Sequence, residues 1–253
     1  MIVYMMIALT ILMFVSWFFI NNASARWFFG TLTTGLLLVL SIMLSANLGI
    51  HWGMEKRTVI STSQNIYTAG EVKSPVSTMI VRQIGTKSNN YVMIYRPEKS
   101  TQKATPHFVP DRKNIVSSDK KKATYKVDNV QNAQVVTKKT EWVFKSSAYK
   151  WLLSFDHNNH QLIKQWTVVQ LPKESWIVMS ASQAKKLAKA QKQIAPKKQA
   201  MVQQQMKQAI EQKFGRYMRA HPKANSAELK QYTDQVKTEM VMKSMKAAVK
   251  KAS

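Results

Sequence analysis

The sequence has no cysteine among its 253 residues. Disulfides, thiolate metal centres and cysteine nucleophiles are therefore excluded together. Charge is almost missing from the first fifty residues, where Arg26 is the single charged side chain. Negative charge is scarce throughout, with 13 Asp and Glu against 38 Lys and Arg. The nine carboxylates of residues 51–180 form no recognisable acid–base pair. The seven glycines never gather into a phosphate-cradling loop or a nucleophile elbow. These gaps remove the enzyme classes that local motifs announce. No catalytic residue and no cofactor is expected.

Apolar length dominates the start of the chain. "MIVYMMIALTILMFVSWFFI" (1–20) has neither charge nor proline, and "WFFGTLTTGLLLVLSIMLSANLGI" (27–50) matches it. Twenty helical residues cover ~30 Å, the thickness of the hydrocarbon layer. Trp17 and Trp27 flank the interruption between the two runs, while Tyr4 and Trp52 lie near their far ends. Aromatic rings favour the headgroup level, so Tyr4, Trp17, Trp27 and Trp52, with Arg26, are the expected membrane-interface residues of two antiparallel spans. Ser41, Ser45 and Gly49 recur every four residues on one face of the second run. Small residues at that spacing let helices approach closely, and they are also simply common in membrane helices.

The interruption "NNASARW" (21–27) contains "ASA", a small-x-small pattern like a processing site. The preceding apolar run is too long for a signal h-region, lacks a basic segment before it, and is followed at once by a second span. An uncleaved hairpin is expected. The positive-inside rule places Arg26, and hence the turn, in the cytoplasm. Lys56 and Arg57 oppose that orientation, but long domains translocate largely regardless of charge. The soluble part is expected outside the cytoplasm.

From residue 54 to 180 the period changes. "YVMIYR" (91–96), "TEWVFK" (140–145), "YKWLLSF" (149–155), "QLIKQWTVVQL" (161–171) and "SWIVMS" (175–180) are rich in β-branched and aromatic residues and are separated by polar turns. They read as antiparallel strands, with "STMIVRQI" (77–84) and "ATYKVDNV" (123–130) as weaker ones. Neither face of 161–171 is cleanly polar, which suits a central strand. Seven or eight short strands predict a small sandwich or partly open barrel. Residues 97–123, with three prolines and Lys120-Lys121-Lys122, read as a long loop.

"FDHNNHQ" (155–161) concentrates Asp156, His157 and His160, the only candidate metal ligands the sequence suggests. The same stretch reads better as a hairpin turn, since Asn-Asn tolerates positive φ between two apolar segments. His51 and His107 have no assigned place beside it.

After residue 180 the strand signals stop. Breaks fall at Pro196 and at "HPKANS", where Asn225 and Glu228 make an N-cap signature. Leu187 and Ile194 lie seven apart; Val202, Met206, Ile210 and Phe214 advance in fours; Leu229, Tyr232, Val236 and Met240 continue the pattern. These are amphipathic helices. They carry 17 Lys and Arg against four Asp and Glu, and their apolar faces are rich in methionine. Such faces suit packing on the β-rich part, a partner groove or a lipid surface.

The two charge-poor spans around "NNASARWFFG", the segments "NNYVMIYR" and "YKWLLSFD", and the Lys/Gln/Ala/Met helical tail resemble an uncharacterised family of small two-span membrane proteins of lactic-acid bacteria, a domain of unknown function. The resemblance implies a bacterial cell membrane and transfers no active site.

The expected fold is a membrane-anchored α+β chain. It comprises a transmembrane hairpin (1–53), a small antiparallel β sandwich or partly open barrel (54–180), and basic amphipathic helices (181–253). The expected role is a non-catalytic binding or assembly module at the cell surface. Expected partners are the lipid bilayer, an anionic wall polymer or lipid headgroups, and a membrane protein or a second copy of the chain. An accessory subunit of a transporter or envelope enzyme is the alternative that Ser41, Ser45 and Gly49 favour. A cytoplasm-facing nucleic-acid binder would need the opposite orientation, and the strands lack interleaved basic and aromatic motifs for it.

Overall fold

The computed structural model describes residues 1–99, 102–193 and 196–252. α1 (Ile2–Phe18) and α2 (Ala23–Ile50) come first in the chain and are built from the two apolar runs. Only four residues separate them, because Asn22 caps α2 and accepts from the backbone N–H groups of Ser24 (3.0 Å) and Ala25 (3.4 Å). The cap draws "ASAR" into the helix and places Arg26 in its first turn. α2 is 28 residues long and apolar enough to cross a membrane; α1 is apolar but shorter, at 17 residues. Hydroxyls inside both helices turn back to the carbonyl four residues earlier, as Ser16 does to Leu12 (2.7 Å) and Thr33 to Phe29 (2.8 Å). Each of these hydroxyls thereby has a partner within its own helix.

The chain is α+β, with two four-stranded sheets, seven helices and no closed barrel among the described residues. One sheet runs in the order β1 (Met54–Gln64), β6 (Gln134–Phe144), β7 (Gln161–Pro172), β5 (Lys121–Asp128). The other runs β4 (Thr105–His107), β3 (Tyr91–Tyr95), β2 (Ser77–Gln83), β8 (Trp176–Ser180). β7, neither of whose faces is cleanly polar, lies between two neighbours, as its pattern suggests.

Two expectations are corrected. The sheets are not wholly antiparallel: β2 pairs with β8 in parallel, from Ser77 opposite Trp176 to Val81 opposite Ser180. Nearly a hundred residues separate these strands, so the long crossover that a parallel pair needs is available. The stretch 149–155 is not a strand. Residues Ser147–Leu153 form the helix α4, capped by Ser146, whose hydroxyl accepts from the N–H of Tyr149 (3.4 Å). Tyr149, Leu152 and Leu153 fall at helical spacing, and Leu153 is fully buried. Residues 97–123 carry β4 and a five-residue helix, α3 (Ile115–Asp119).

The chain divides into two compact units. The first comprises residues 1–60 and 138–165, and the second residues 61–137 and 166–253. In the first, Ile2, Leu40 and Leu153 are the buried centre of a cluster joined by Met6, Met43, Leu44, Phe144 and Tyr149.

In the second unit one core draws on both sheets. Met79, Met93 and Trp176 meet Ala123, Val169 and Leu171, with Tyr95 at 4% exposure. Fully burying a side chain of this size contributes about 1.5–3 kcal/mol. Asn89 and Asn90 link the sheets by accepting from the hydroxyl of Thr124 (3.0 Å) and the N–H of Ala123 (2.8 Å). α5 (Ala181–Gln193) follows β8 without a linker, through a capping box in which Gln183 accepts from the N–H of Ser180 (2.7 Å) and Ser180 from that of Gln183 (3.1 Å). α6 (Pro196–Ala220) and α7 (Ser226–Lys251) come next, the latter opened by the Asn225–Glu228 capping box. Leu187, Met242, Met245 and Val249 pack against Val76, Ile80, Ile177 and Met179. The unit therefore continues past residue 181 into the helices. Ile194, expected on the apolar face of α5, lies outside the described residues.

Candidate functional site

In the first unit the end of α2 is gripped by loop and sheet residues. α2 stops at His51, which adopts a left-handed conformation (φ 58°), and Gly53 follows at φ 80°. A side chain at Gly53 would start 2.8 Å from the Tyr149 ring, so the glycine is required both for its backbone and for room. The His51 ring stacks on Trp142 of β6 at 4.2 Å, and the Lys56 ammonium lies 5.2 Å from the centre of the same indole. Trp52 meets Tyr149 of α4 edge-on at 5.3 Å. Aromatic faces and a cation thus collect where the apolar helix ends.

A buried amide pair lies beneath them. Asn47, in the last turns of α2, is 1% exposed, and Asn158, in the loop after α4, is 4% exposed. The Asn158 amide donates to Asn47 Oδ1 and to the Leu153 carbonyl, both at 2.9 Å, and accepts from the Phe155 N–H at 3.1 Å. Asn47 in turn donates to the Trp52 carbonyl at 2.8 Å. Every polar atom of this pair has a partner, the condition under which buried amides rigidify a fold.

Asp156, His157 and His160 sit in the turn joining α4 to β7. All three take positive φ, of 47°, 56° and 61°, and the strain falls on them and not on Asn158 or Asn159. The Asn158 N–H closes a backbone turn on the Phe155 carbonyl at 3.1 Å, and its side chain accepts from the Phe155 N–H at 3.1 Å, so the turn is tied from both sides. His160 Nδ1 faces Glu141 Oε2 at 3.4 Å, while Lys139 pairs with the other Glu141 oxygen. The lysine's hydrogen bond, assisted by His160, holds the Glu141 carboxyl below the ordinary carboxylate range. Among the described residues no three His, Asp or Glu side chains are grouped to hold a metal ion.

The other expected positions are placed as follows. Trp17 meets Trp27 edge-on at 5.4 Å, and its indole N–H reaches the Thr34 hydroxyl at 3.5 Å. Tyr4, Trp27 and Trp52 are exposed, and Arg26 is partly covered. Ser45 and Gly49 are exposed, with open space around Gly49, and the Ser41 hydroxyl bonds to its own helix at Leu37. The close approach of α1 and α2 falls at Gly30, where a side chain would start 2.7 Å from Trp17. Pattern reading does not single out Gly30 or Asn47, and it places Asn158 only in a turn. A lone Asn inside an apolar helix was the available signal for Asn47, since such a group needs a partner.

Among its described residues the second unit offers no comparable convergence. His107 stacks on Tyr95 at 4.0 Å and bonds its carbonyl at 3.3 Å. Burial pushes the Tyr95 hydroxyl up to about 12 and lowers His107, against the opposing effect of the carbonyl bond. A groove of about 1140 Å³ lies between the 129–131 and 172–175 turns and α7. Lys173, Lys243 and Lys246 line it alongside Glu174, Asp234 and Glu239, so neither sign of charge prevails.

Residues 22–187 match the family described as Domain of unknown function (DUF4811). The match covers α2, both sheets and the first half of α5, more than half of the chain, and the chain belongs to that family. No curated protein and no solved structure matches it.

Proposed function

We propose that this DUF4811 protein is a non-catalytic binding or assembly module, anchored by two antiparallel spans and carrying a sandwich-type β module outside the cytoplasm. The observation that carries the reading is the outward face of the helical hairpin. Ile7, Ile11, Leu12 and Phe14 on α1, and Leu36, Leu38, Val39 and Ile42 on α2, are exposed. A contiguous apolar sleeve of this kind is far larger than water tolerates, and lipid is its natural solvent. At ~1.5 Å per residue α1 covers only ~25 Å, so it spans with local thinning or with help at one end. The soluble part would recognise an anionic polymer or headgroup through α5–α7, where the excess of Lys and Arg lies.

The absence of native cysteine makes the test direct. In intact cells, single cysteines at Ser117 and Ser244 should react with a membrane-impermeant thiol reagent, and one at Asn22 should not. The opposite pattern would revive the cytoplasmic, nucleic-acid reading. Full-length protein in neutral-lipid nanodiscs should bind inorganic polyphosphate at low salt and release it at high salt, because surface attraction is screened over ~8 Å at physiological ionic strength. Equal binding at both salt levels, or none at low salt, would remove the anionic partner.

A second reading rests on the exposed Ser45 and Gly49. Their face of α2 is free in this chain, and a helix of a transporter or envelope enzyme would find room there.

A further inference from the structure

α4 has two faces. One is spent inside the first unit: Leu153 is fully buried, and Leu152 and Tyr149 pack beside it against the cluster of Ile2, Val3, Met6, Met43 and Leu44. The helix is therefore seated where α1 begins and where the last turns of α2 lie. The other face is open. Trp151 is 61% exposed and Phe155, two residues past the helix, 47%. Ile50 and Trp52, at the end of α2, are 76% and 39% exposed. Lys145 and Lys150 stand in solvent on the same segment, and α4 has no acidic residue. Indole and phenyl rings left in water on a seven-residue helix stabilise nothing, whereas at the headgroup level both the ring and its polar edge are satisfied.

We propose that α4 lies in the headgroup layer of the bilayer. Trp151 and Phe155 sit at the boundary with the acyl chains, continuing the apolar sleeve of α1 and α2 past Ile50 and Trp52, and Lys145 and Lys150 reach the lipid phosphates. The proposal rests on the reading of the helical hairpin as a membrane anchor. It also accounts for the short α1. The missing depth at its first turn is filled by Tyr149, Leu152 and Leu153 of α4, which join the cluster in which Ile2 is fully buried. Lysine stems lie along apolar surface while the ammonium stays wet, so Lys150 on the same helix as Trp151 is compatible with this depth.

The test uses the full chain reconstituted in phosphatidylcholine–phosphatidylglycerol nanodiscs. Single cysteines at Leu36, Ala148, Trp151, Phe155 and Lys113 carry a nitroxide, and its collisions with oxygen and with a water-soluble nickel complex are measured. Leu36 should report the acyl interior and Lys113 bulk water. Trp151 and Phe155 should report the interface, with oxygen-to-nickel ratios several-fold above that at Lys113. Ala148, one helical turn from Trp151, samples the same face with the indole intact, so a loss of packing in W151C does not decide the result. Ratios at Ala148, Trp151 and Phe155 equal to that at Lys113, with Leu36 still in lipid, would overturn the interfacial placement and leave the anchor standing. A Leu36 label in water would overturn the anchor itself.

Discussion

Asn47 and Asn158 lie 111 positions apart in the chain and meet in a single hydrogen bond of 2.9 Å. One belongs to an apolar helix and the other to a polar loop. Their bond fixes how the helix end joins the sheet.

Asn158→Ala removes that bond and strands Asn47 Oδ1, the Leu153 carbonyl and the Phe155 N–H in a buried place. Leaving one such group unpaired costs about 1–3 kcal/mol. The variant should melt several degrees lower in detergent, and limited proteolysis should open the chain at 154–160. An unchanged melting curve and cleavage pattern would show the pair to be dispensable.

Gly30 and Gly35 make a matched comparison. A Cβ at Gly30 meets Trp17 at 2.7 Å, while one at Gly35 meets nothing within 4 Å. Gly30→Ala should lower helix-pair stability by about 1–3 kcal/mol, the usual cost of overpacking. Gly35→Ala should be neutral or stabilising, because alanine favours the helix by about 1 kcal/mol. Equal effects of the two in a detergent melt would place the helix contact elsewhere.

The acid limb of stability should carry the signature of Glu141. Its folded carboxyl titrates below its unfolded value, first through Lys139 and then through His160. The contribution is present above the unfolded carboxylate range and is lost as pH falls through the folded value. Glu141→Gln should flatten the wild-type decline below pH ~4. Parallel acid curves for the two proteins would remove Glu141 as a contributor.

Tyr95 contributes to the alkaline side, together with Tyr125, which burial and Tyr91 also push up. The Tyr95 hydroxyl, raised to about 12 by burial, keeps its proton longer in the folded state. That contribution is complete below pH ~10 and is lost between ~10 and the folded value. Tyr95→Phe should remove an alkaline loss of about 3 kcal/mol, a two-unit shift at 1.36 kcal/mol per unit. Denaturant melts of both proteins across that window provide the check.

Met242 is 6% exposed against Ile177 and Met179. Met242→Ala should cost about 2–5 kcal/mol, and a chain ended at residue 180 should bind an apolar dye, because Val76, Ile177 and Met179 lose their cover. A truncated chain with a native-like melt would detach the helices from the core.

The elements most legible in the sequence were those whose own residues decide them. The two apolar runs, the Asn225–Glu228 cap, and the strands at 91–95, 161–172 and 176–180 announce themselves through length, cap chemistry and β-branched content. The segment 149–155 did not, because Tyr149, Trp151, Leu152 and Leu153 are as frequent in strands as in short helices. The deciding signal was Ser146 in the cap, a single hydroxyl. The parallel β2–β8 pair was invisible, since its partners are joined only through the fold. The candidate site was illegible for the same reason. His51 and Trp142, or Asn47 and Asn158, are chemically ordinary until the chain brings them together.

The direct passage from β8 into α5 decides what kind of object the basic helices are. With no linker at Ser180–Ala181, and with Met242 and Leu187 bolted to the sheet, the lysines on α5 and α7 ride a fixed frame. Cations on a loose tail behave as a brush: they fit any anion and lose chain entropy each time. Cations on a frame behave as a comb, with set spacing and little left to freeze, so binding weakens less through ordering and depends more on the partner's own repeat. If α5–α7 hold an anionic polymer as proposed, one whose phosphates match that spacing would be told apart from one of equal charge whose phosphates do not.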